Sequence, residues 1–332
     1  MKPSVSLETA LQRNFAAGSK SVVTTLLLAM VLTLSGCSDL KLSLYHMAMD
    51  FELSKSGLSA HTVDLNGKSV SYLSNEKVEG APTLIMLHGF AANKENWLRF
   101  SCYLSADYHI IAPDLPGHGA SVKDLNLSYH ISDQVGYLDE LVTALGVDKF
   151  HLVGNSMGGA ISSVYAAQHP DKVITVTLFD PAGIYDYESE YARRLEKGEN
   201  PLIVENYQDF EDLMAFAMEE QPFVPWPITS VIAEKSIANK LINQKIFRDL
   251  RSDADQLNFK EELKKISVPT FVLWGEKDRV IAWQNAELFT ALITNSRKLI
   301  LPEVGHVPMI EVPKKSAEVL KTFISTSMAA RT

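Results

Sequence analysis

The chain has 332 residues, 46% of them hydrophobic and 21% charged, with a formal net charge of −9. That length suits one large globular domain or one domain with an insertion, and an acidic balance without a Lys/Arg run argues against a nucleic-acid partner. Cys37 and Cys102 are the two cysteines and give no disulfide framework. With no Cys/His cluster at metal-ligand spacing, no His-Glu-x-x-His and no glycine-rich phosphate loop, neither a metal nor a nucleotide cofactor is expected.

The N-terminus reads as a targeting segment. Lys2, Arg13 and Lys20 precede an apolar run from Val22 to Leu34. The run is shorter than the roughly 20 residues a membrane span needs and fits a signal-peptide core. It ends in Leu34-Ser35-Gly36-Cys37, which resembles the bacterial lipobox. Residues 1–36 are then a lipoprotein signal peptide, and lipid chains on Cys37 anchor the mature protein to a bilayer surface without spanning it. By the same resemblance, Ser38 after the cysteine favours outer-membrane delivery, so the expected address is the bacterial cell envelope. On this reading Cys102 has no cysteine partner in the mature chain and is expected to be a small buried apolar residue. Residues 37–60 mix apolar and charged positions at near-helical spacing. They are either an amphipathic helix leading from the anchor to the body or a partly ordered tether.

From about residue 60 strand-like and helix-like stretches alternate. Strands are expected at Ser69–Leu73, Thr83–Leu87, Tyr108–Pro113, before Gly154, and at Val173–Phe179, Thr270–Trp274 and Lys298–Leu301. Helices are expected near 94–104, 131–145, 156–169, 282–293 and 314–326. Strands apolar on both faces and separated by helices imply a mostly parallel sheet covered on both sides, with a site at the carboxyl ends of its strands. The alternation breaks over 183–262, which reads as a helical cap inserted after the sixth strand, with the core in 61–182 and 263–332. Apolar cap residues could line an acyl pocket or simply pack the cap onto the core.

Gly154-Asn155-Ser156-Met157-Gly158 follows the apolar run Phe150–Val153 and precedes a small-residue helix stopped by Pro170. Strand, Gly-x-Ser-x-Gly and helix in that order make a nucleophile elbow, a turn tight enough to exclude a Cβ at the flanking glycines. An ordinary glycine-rich turn with a surface serine is the plain alternative. A serine hydroxyl needs a base. His306, on the Gly-containing loop after the last strand, is the candidate. Asp278, after the preceding strand, is the candidate acid that would hold the imidazole, with Asp180 its competitor. The order Ser, acid, His matches the triad order of this elbow. The backbone N–H groups of Met157, at the helix start, and Phe90, in the His88-Gly89-Phe90 turn, are the candidate oxyanion donors. His88 is expected to buttress that turn, and the remaining histidines to be structural.

Together these motifs, with Pro113-Asp114-Leu115-Pro116-Gly117-His118-Gly119 and Trp274-Gly275-Glu276-Lys277-Asp278, resemble the α/β-hydrolase superfamily from about Thr83 to Val312. Closer still, the stretches 88–96, 154–167 and 304–309 resemble cold-adapted bacterial lipases of the Moraxella and Psychrobacter type and the related monoacylglycerol lipases. The resemblance implies an α/β-hydrolase fold, a Ser156–His306–Asp278 triad and hydrolysis of carboxylic esters on lipid or acyl substrates. The same elbow occurs in hydrolases that cleave carbon–carbon bonds of ring-fission products, which is the alternative activity. A binding protein on the same fold, without turnover, is the alternative of a different class.

Overall fold

The computed structural model describes residues 39–330. Cys37 and the leader 1–36 lie outside them. Residues 39–56 form a helix, α1, which resolves the open reading of this segment in favour of helix. Among the described residues no helix is long and apolar enough to cross a membrane.

The strands are β1 (Ser59–Leu65), β2 (Lys68–Ser74), β3 (Thr83–Leu87), β4 (His109–Pro113), β5 (Phe150–Asn155), β6 (Val173–Phe179), β7 (Thr270–Gly275) and β8 (Ser296–Leu301). They pair in the order β1-β2-β4-β3-β5-β6-β7-β8. The pairs β1/β2 and β2/β4 are antiparallel, and every pair from β4 to β8 is parallel. Only β1 had no counterpart in the sequence reading. Its residues are mostly exposed at the sheet edge, so its sequence carries little of the apolar signal that marks the inner strands.

Alternate side chains of the inner strands feed two separate cores, as a period of two requires. Ile85, Leu87, Leu152, Val176 and Val272 point to one face. There they meet α3 (Ile131–Ala144), α4 (Met157–Gln168), α9 (Phe259–Lys265) and α10 (Asn285–Leu292). Leu84, Met86, Ile110, Val153 and Leu273 point to the other. They pack on Trp97, α2 (Leu98–Ser101) and α12 (Pro313–Ala329), with Met49 and Leu53 of α1 at the margin. Each large side chain fully buried in these layers contributes about 1.5–3 kcal/mol of transfer free energy. Cys102 departs from expectation. It is half-buried at the end of α2, and its thiol lies 3.4 Å from the Leu98 carbonyl it donates to. Only part of the side chain reaches the core, because the short helix turns away there.

Between β6 and β7 lie α5 (Glu190–Glu196), α6 (Tyr207–Ala217), α7 (Ile228–Ala238) and α8 (Lys240–Gln256), followed by α9. The start of α6 is fixed by a reciprocal capping box between Asn206 and Asp209. Near the last strand a one-turn helix, α11 (Pro308–Glu311), follows the His306 loop.

Candidate active site

The carboxyl ends of five neighbouring parallel strands converge. After β4 comes Asp114, after β3 the His88-Gly89-Phe90 turn, after β5 Ser156, after β6 Asp180 and after β7 Asp278. His306 follows β8 at the adjoining edge.

Ser156 sits between β5 and α4 at φ +54°, ψ −117°. A non-glycine residue there is strained by about 1–3 kcal/mol and persists only where its surroundings over-determine it. The surroundings are tight. A Cβ on Gly154 would lie 2.2 Å from the Gly158 carbonyl oxygen, and a Cβ on Gly158 would lie 2.3 Å from that of Leu87. Both glycines are therefore demanded by backbone-to-backbone approach. The Ser156 N–H donates to the Phe179 carbonyl at 3.0 Å, tying the turn to β6.

His306 Nδ1 donates to Asp278 Oδ2 at 2.8 Å, and both side chains are buried. Asp278 is held from every side. The Trp274 indole N–H donates to Oδ2 at 3.0 Å, and the Val280 and Ile281 N–H groups donate to Oδ1 at 2.8 and 3.0 Å. A carboxylate that accepts from four N–H groups is fixed in place and orientation. With Nδ1 committed to Asp278, Nε2 is the imidazole atom left to face the cavity.

Asp180 is the second acid of the pair expected from the sequence. It offers an oxygen within 4.8 Å of ligand atoms of both Asp278 and His306. Its Oδ1 accepts from the Gly275 N–H at 2.8 Å, but its Oδ2 has no hydrogen-bond partner. Complete burial, then the neighbouring Asp278 carboxylate, push its pKa well above the ordinary carboxyl range. Of the two acids, Asp278 is the one hydrogen-bonded to the imidazole.

The turn after β3 presses on the elbow. A Cβ on Gly89 would lie 3.2 Å from Ser156 Cβ. His88 fixes that turn. Its Nε2 accepts the Leu115 N–H at 3.0 Å, which leaves Nδ1–H to donate to the Gly89 carbonyl at 2.8 Å. Burial lowers the His88 pKa, and burial with His88 nearby lowers that of His118 to about 3, so both rings are neutral at physiological pH. Beyond them, Lys94 and Asp114 form a buried pair at 2.7 Å, with the Lys94 N–H also donating to Asp114.

Three contributors carried no sequence signal that had been read. Asn155, inside the elbow motif, donates from Nδ2 to the carbonyls of Phe179 and His306 at 3.1 and 3.0 Å. Ala217, at the end of α6, accepts the His306 N–H at 2.8 Å. Glu311 accepts the Gly305 N–H at 3.0 Å and the Glu219 N–H at 2.8 Å. The helices between β6 and β7 thus hold the histidine loop as well as cover it. The position of Asn155, on the last strand residue before the serine, was the available clue.

Ser156, His306 and Phe90 line one cavity of about 500 Å³, together with Phe210, Met214 and Ile232 from the helices between β6 and β7. A second cavity, about 590 Å³, is bounded by Met157, Ala160, Tyr185 and Phe259 and includes neither Ser156 nor His306. The first is the one that can bring an apolar ligand to a hydroxyl and an imidazole, with the Asp278 carboxylate behind the imidazole.

This sheet, its elbow and its strand-end polar cluster are those of a hydrolase of α/β architecture. The chain belongs to the family described as the alpha/beta hydrolase fold, whose model matches residues 82–228 and 233–313. It is 35% identical over 304 residues to Lipase 3 of Moraxella sp. (strain TA144), covering 88% of this chain and 94% of that one. It is 32% identical over 265 residues to monoacylglycerol lipase abhd6-B of Xenopus laevis, covering 77% and 79%. Among solved structures it is similar to a membrane phospholipase A described as a bacterial virulence factor. The TM-score is 0.86 and the identity 36%, covering 93% of this chain and 99% of the other.

Proposed function

We propose that this protein hydrolyses carboxylic esters of lipids, of the fatty-acylglycerol type, through an acyl-enzyme on Ser156. The observation that carries the reading is the His306–Asp278 hydrogen bond beside a strained elbow serine in an apolar cavity. His306 Nε2 takes the Ser156 proton as the hydroxyl oxygen attacks the ester carbonyl. Asp278 holds the imidazole and stabilises the imidazolium. The N–H groups of Phe90 and Met157 receive the oxyanion, and the positive end of α4 adds to that field. Collapse returns the proton to the departing alcohol. Water, deprotonated by His306, then releases the fatty acid and regenerates the serine. The segment 183–262 serves as the cap that shapes the acyl cavity. The three relatives described above, a lipase, a monoacylglycerol lipase and a phospholipase A by name, all support fatty-acyl esters as the substrate class. We further propose that Cys37 carries lipid and holds the enzyme on the bacterial envelope, at the outer membrane.

The test is a panel of p-nitrophenyl acyl esters of graded chain length with the full chain and its Ser156→Ala variant. Turnover is expected in the first and none above background in the second, with a fluorophosphonate probe labelling Ser156 alone. Undiminished turnover in Ser156→Ala would remove the mechanism.

A further inference from the structure

Helix α1 is apolar on two sides. Tyr45, Met49 and Leu53 turn inward. Leu40, Leu44, Met47 and Phe51 recur at spacings of four, three and four, which places them in one stripe on the opposite side. That stripe faces outward, with Met47 67% and Phe51 65% exposed. A soluble surface helix does not ordinarily present a continuous apolar seam to water.

The same helix is fastened to a wall of the acyl cavity. Lys41 pairs with Glu234, and the Lys235 ammonium lies 4.0 Å from the centre of the Tyr45 ring. Glu234 and Lys235 belong to α7, whose other side, Thr229, Ile232 and Ser236, lines the cavity containing Ser156. Just before α7 stands Trp226, 78% exposed. It lies two residues before the first turn of α7, the helix that carries Glu234 and Lys235. Two exposed apolar features, on different elements, therefore border the same cavity wall.

We propose that the Leu40–Leu44–Met47–Phe51 stripe and Trp226 form one surface that enters a zwitterionic lipid bilayer, setting the acyl cavity against its substrate. The proposal rests on the lipid-ester reading of the site. On the lipoprotein reading Cys37, two residues before α1, carries the lipid and delivers the stripe to a bilayer rather than to another protein. The charges on α1 are mixed, with Asp39, Asp50 and Glu52 against Lys41 and Lys55, and the chain as a whole is acidic. Attraction to anionic headgroups therefore does not drive the contact, and apolar insertion does.

The full chain is reconstituted into phosphatidylcholine vesicles made with and without brominated acyl chains. Tryptophan emission is expected to be quenched by bromine, and Trp226→Phe is expected to lose the quenched component. In Leu44→Gln/Met47→Gln/Phe51→Gln and in Trp226→Ser, hydrolysis of long-chain lipid in the vesicles should fall at least tenfold. Turnover of soluble p-nitrophenyl butyrate should stay within twofold, which also shows that the variants fold. Unquenched Trp226 with unchanged vesicle turnover would overturn the proposal. So would a detergent-solubilised dimer that the triple variant converts to monomer while vesicle turnover is unchanged, since the stripe would then be a contact between copies. A wild type inactive on the soluble ester would refute the lipid-ester reading instead, and the quenching would still report on the surface.

Discussion

Asp180 and Asp278 approach the same imidazole from the ends of adjacent strands, and only Asp278 is hydrogen-bonded to it, at 2.8 Å. Four further N–H donors around the pair explain the asymmetry. Asp278 is saturated with N–H donors, whereas Asp180 has one donor on Oδ1 and none on Oδ2. Asp278→Asn should therefore lower kcat/KM by about 10³- to 10⁴-fold by misorienting the imidazole tautomer. Asp180→Asn, which can still accept from Gly275, should stay within about tenfold of wild type. Steady-state ester hydrolysis by the two variants checks this, and equal losses would contradict the assignment.

The same relationship sets a pH dependence of stability. The pKa of Asp180 is raised in the folded state by burial and by Asp278, so the native chain holds a proton that the unfolded chain releases above about pH 3.9. The stabilising contribution is complete below that pH and is lost as pH rises toward the folded-state value. Asp180→Asn removes this loss. Its melting temperature relative to wild type should rise as pH climbs above about 4 and level off once the folded-state pKa is passed, measured by thermal scanning in matched buffers.

The parts that sequence made legible are those in which one residue type answers a local demand. The elbow is a local Gly-x-Ser-x-Gly pattern behind an apolar strand, and β3, β6 and β7 are marked by their apolar runs, so both are legible directly, although the atom that excludes a Cβ at Gly158 is the distant Leu87 carbonyl oxygen. What escaped reading depends on distant chain. Ala217 contributes a carbonyl to His306 from α6, and any residue has a carbonyl to offer. Glu311 acts on backbone N–H groups of another element. Helix α1 resisted assignment because it carries apolar residues on two sides, one packed inward and one exposed, which blurs the usual amphipathic pattern. The place of Asp278 after the penultimate strand favours it over Asp180 in the sequence, and the orientation of the carboxylates adds what spacing does not carry, the hydrogen bond to His306.

His88 is expected to act through the Phe90 N–H. Its neutral ring bridges the Leu115 N–H and the Gly89 carbonyl, which sets the peptide plane that aims the next N–H at the cavity. In His88→Ala the turn loses both anchors. Loss of an oxyanion donor costs about 10²- to 10³-fold in kcat, and a loosened donor should cost about tenfold to a hundredfold. The loss should appear in kcat with KM little changed, because the donor acts on charge that develops after binding. A change confined to KM would assign His88 to substrate binding.

Strain at Ser156 can be measured apart from chemistry. Its φ of +54° and ψ of −117° suit glycine better than any residue with a Cβ. Ser156→Gly and Ser156→Ala should both be inactive. The glycine variant should be the more stable of the two by about 1 kcal/mol, the relieved strain being partly offset by the greater freedom of glycine in the unfolded chain. Urea unfolding of both variants tests this, and a less stable glycine variant would mean that the turn is not under strain.

The acyl cavity makes the last prediction. Met214 on α6 and Ile232 on α7 line the same cavity as Ser156, which holds about 500 Å³. Met is unbranched and yields to ligand shape, so Met214→Trp should shorten the space with little effect on the reacting end. The ratio of long-chain to short-chain ester turnover should fall by at least about tenfold, since each methylene excluded from an apolar site forfeits about 0.8 kcal/mol. The chain-length profile of kcat/KM for wild type and variant decides the matter. An unchanged profile would mean that the acyl chain runs along a different wall, away from α6.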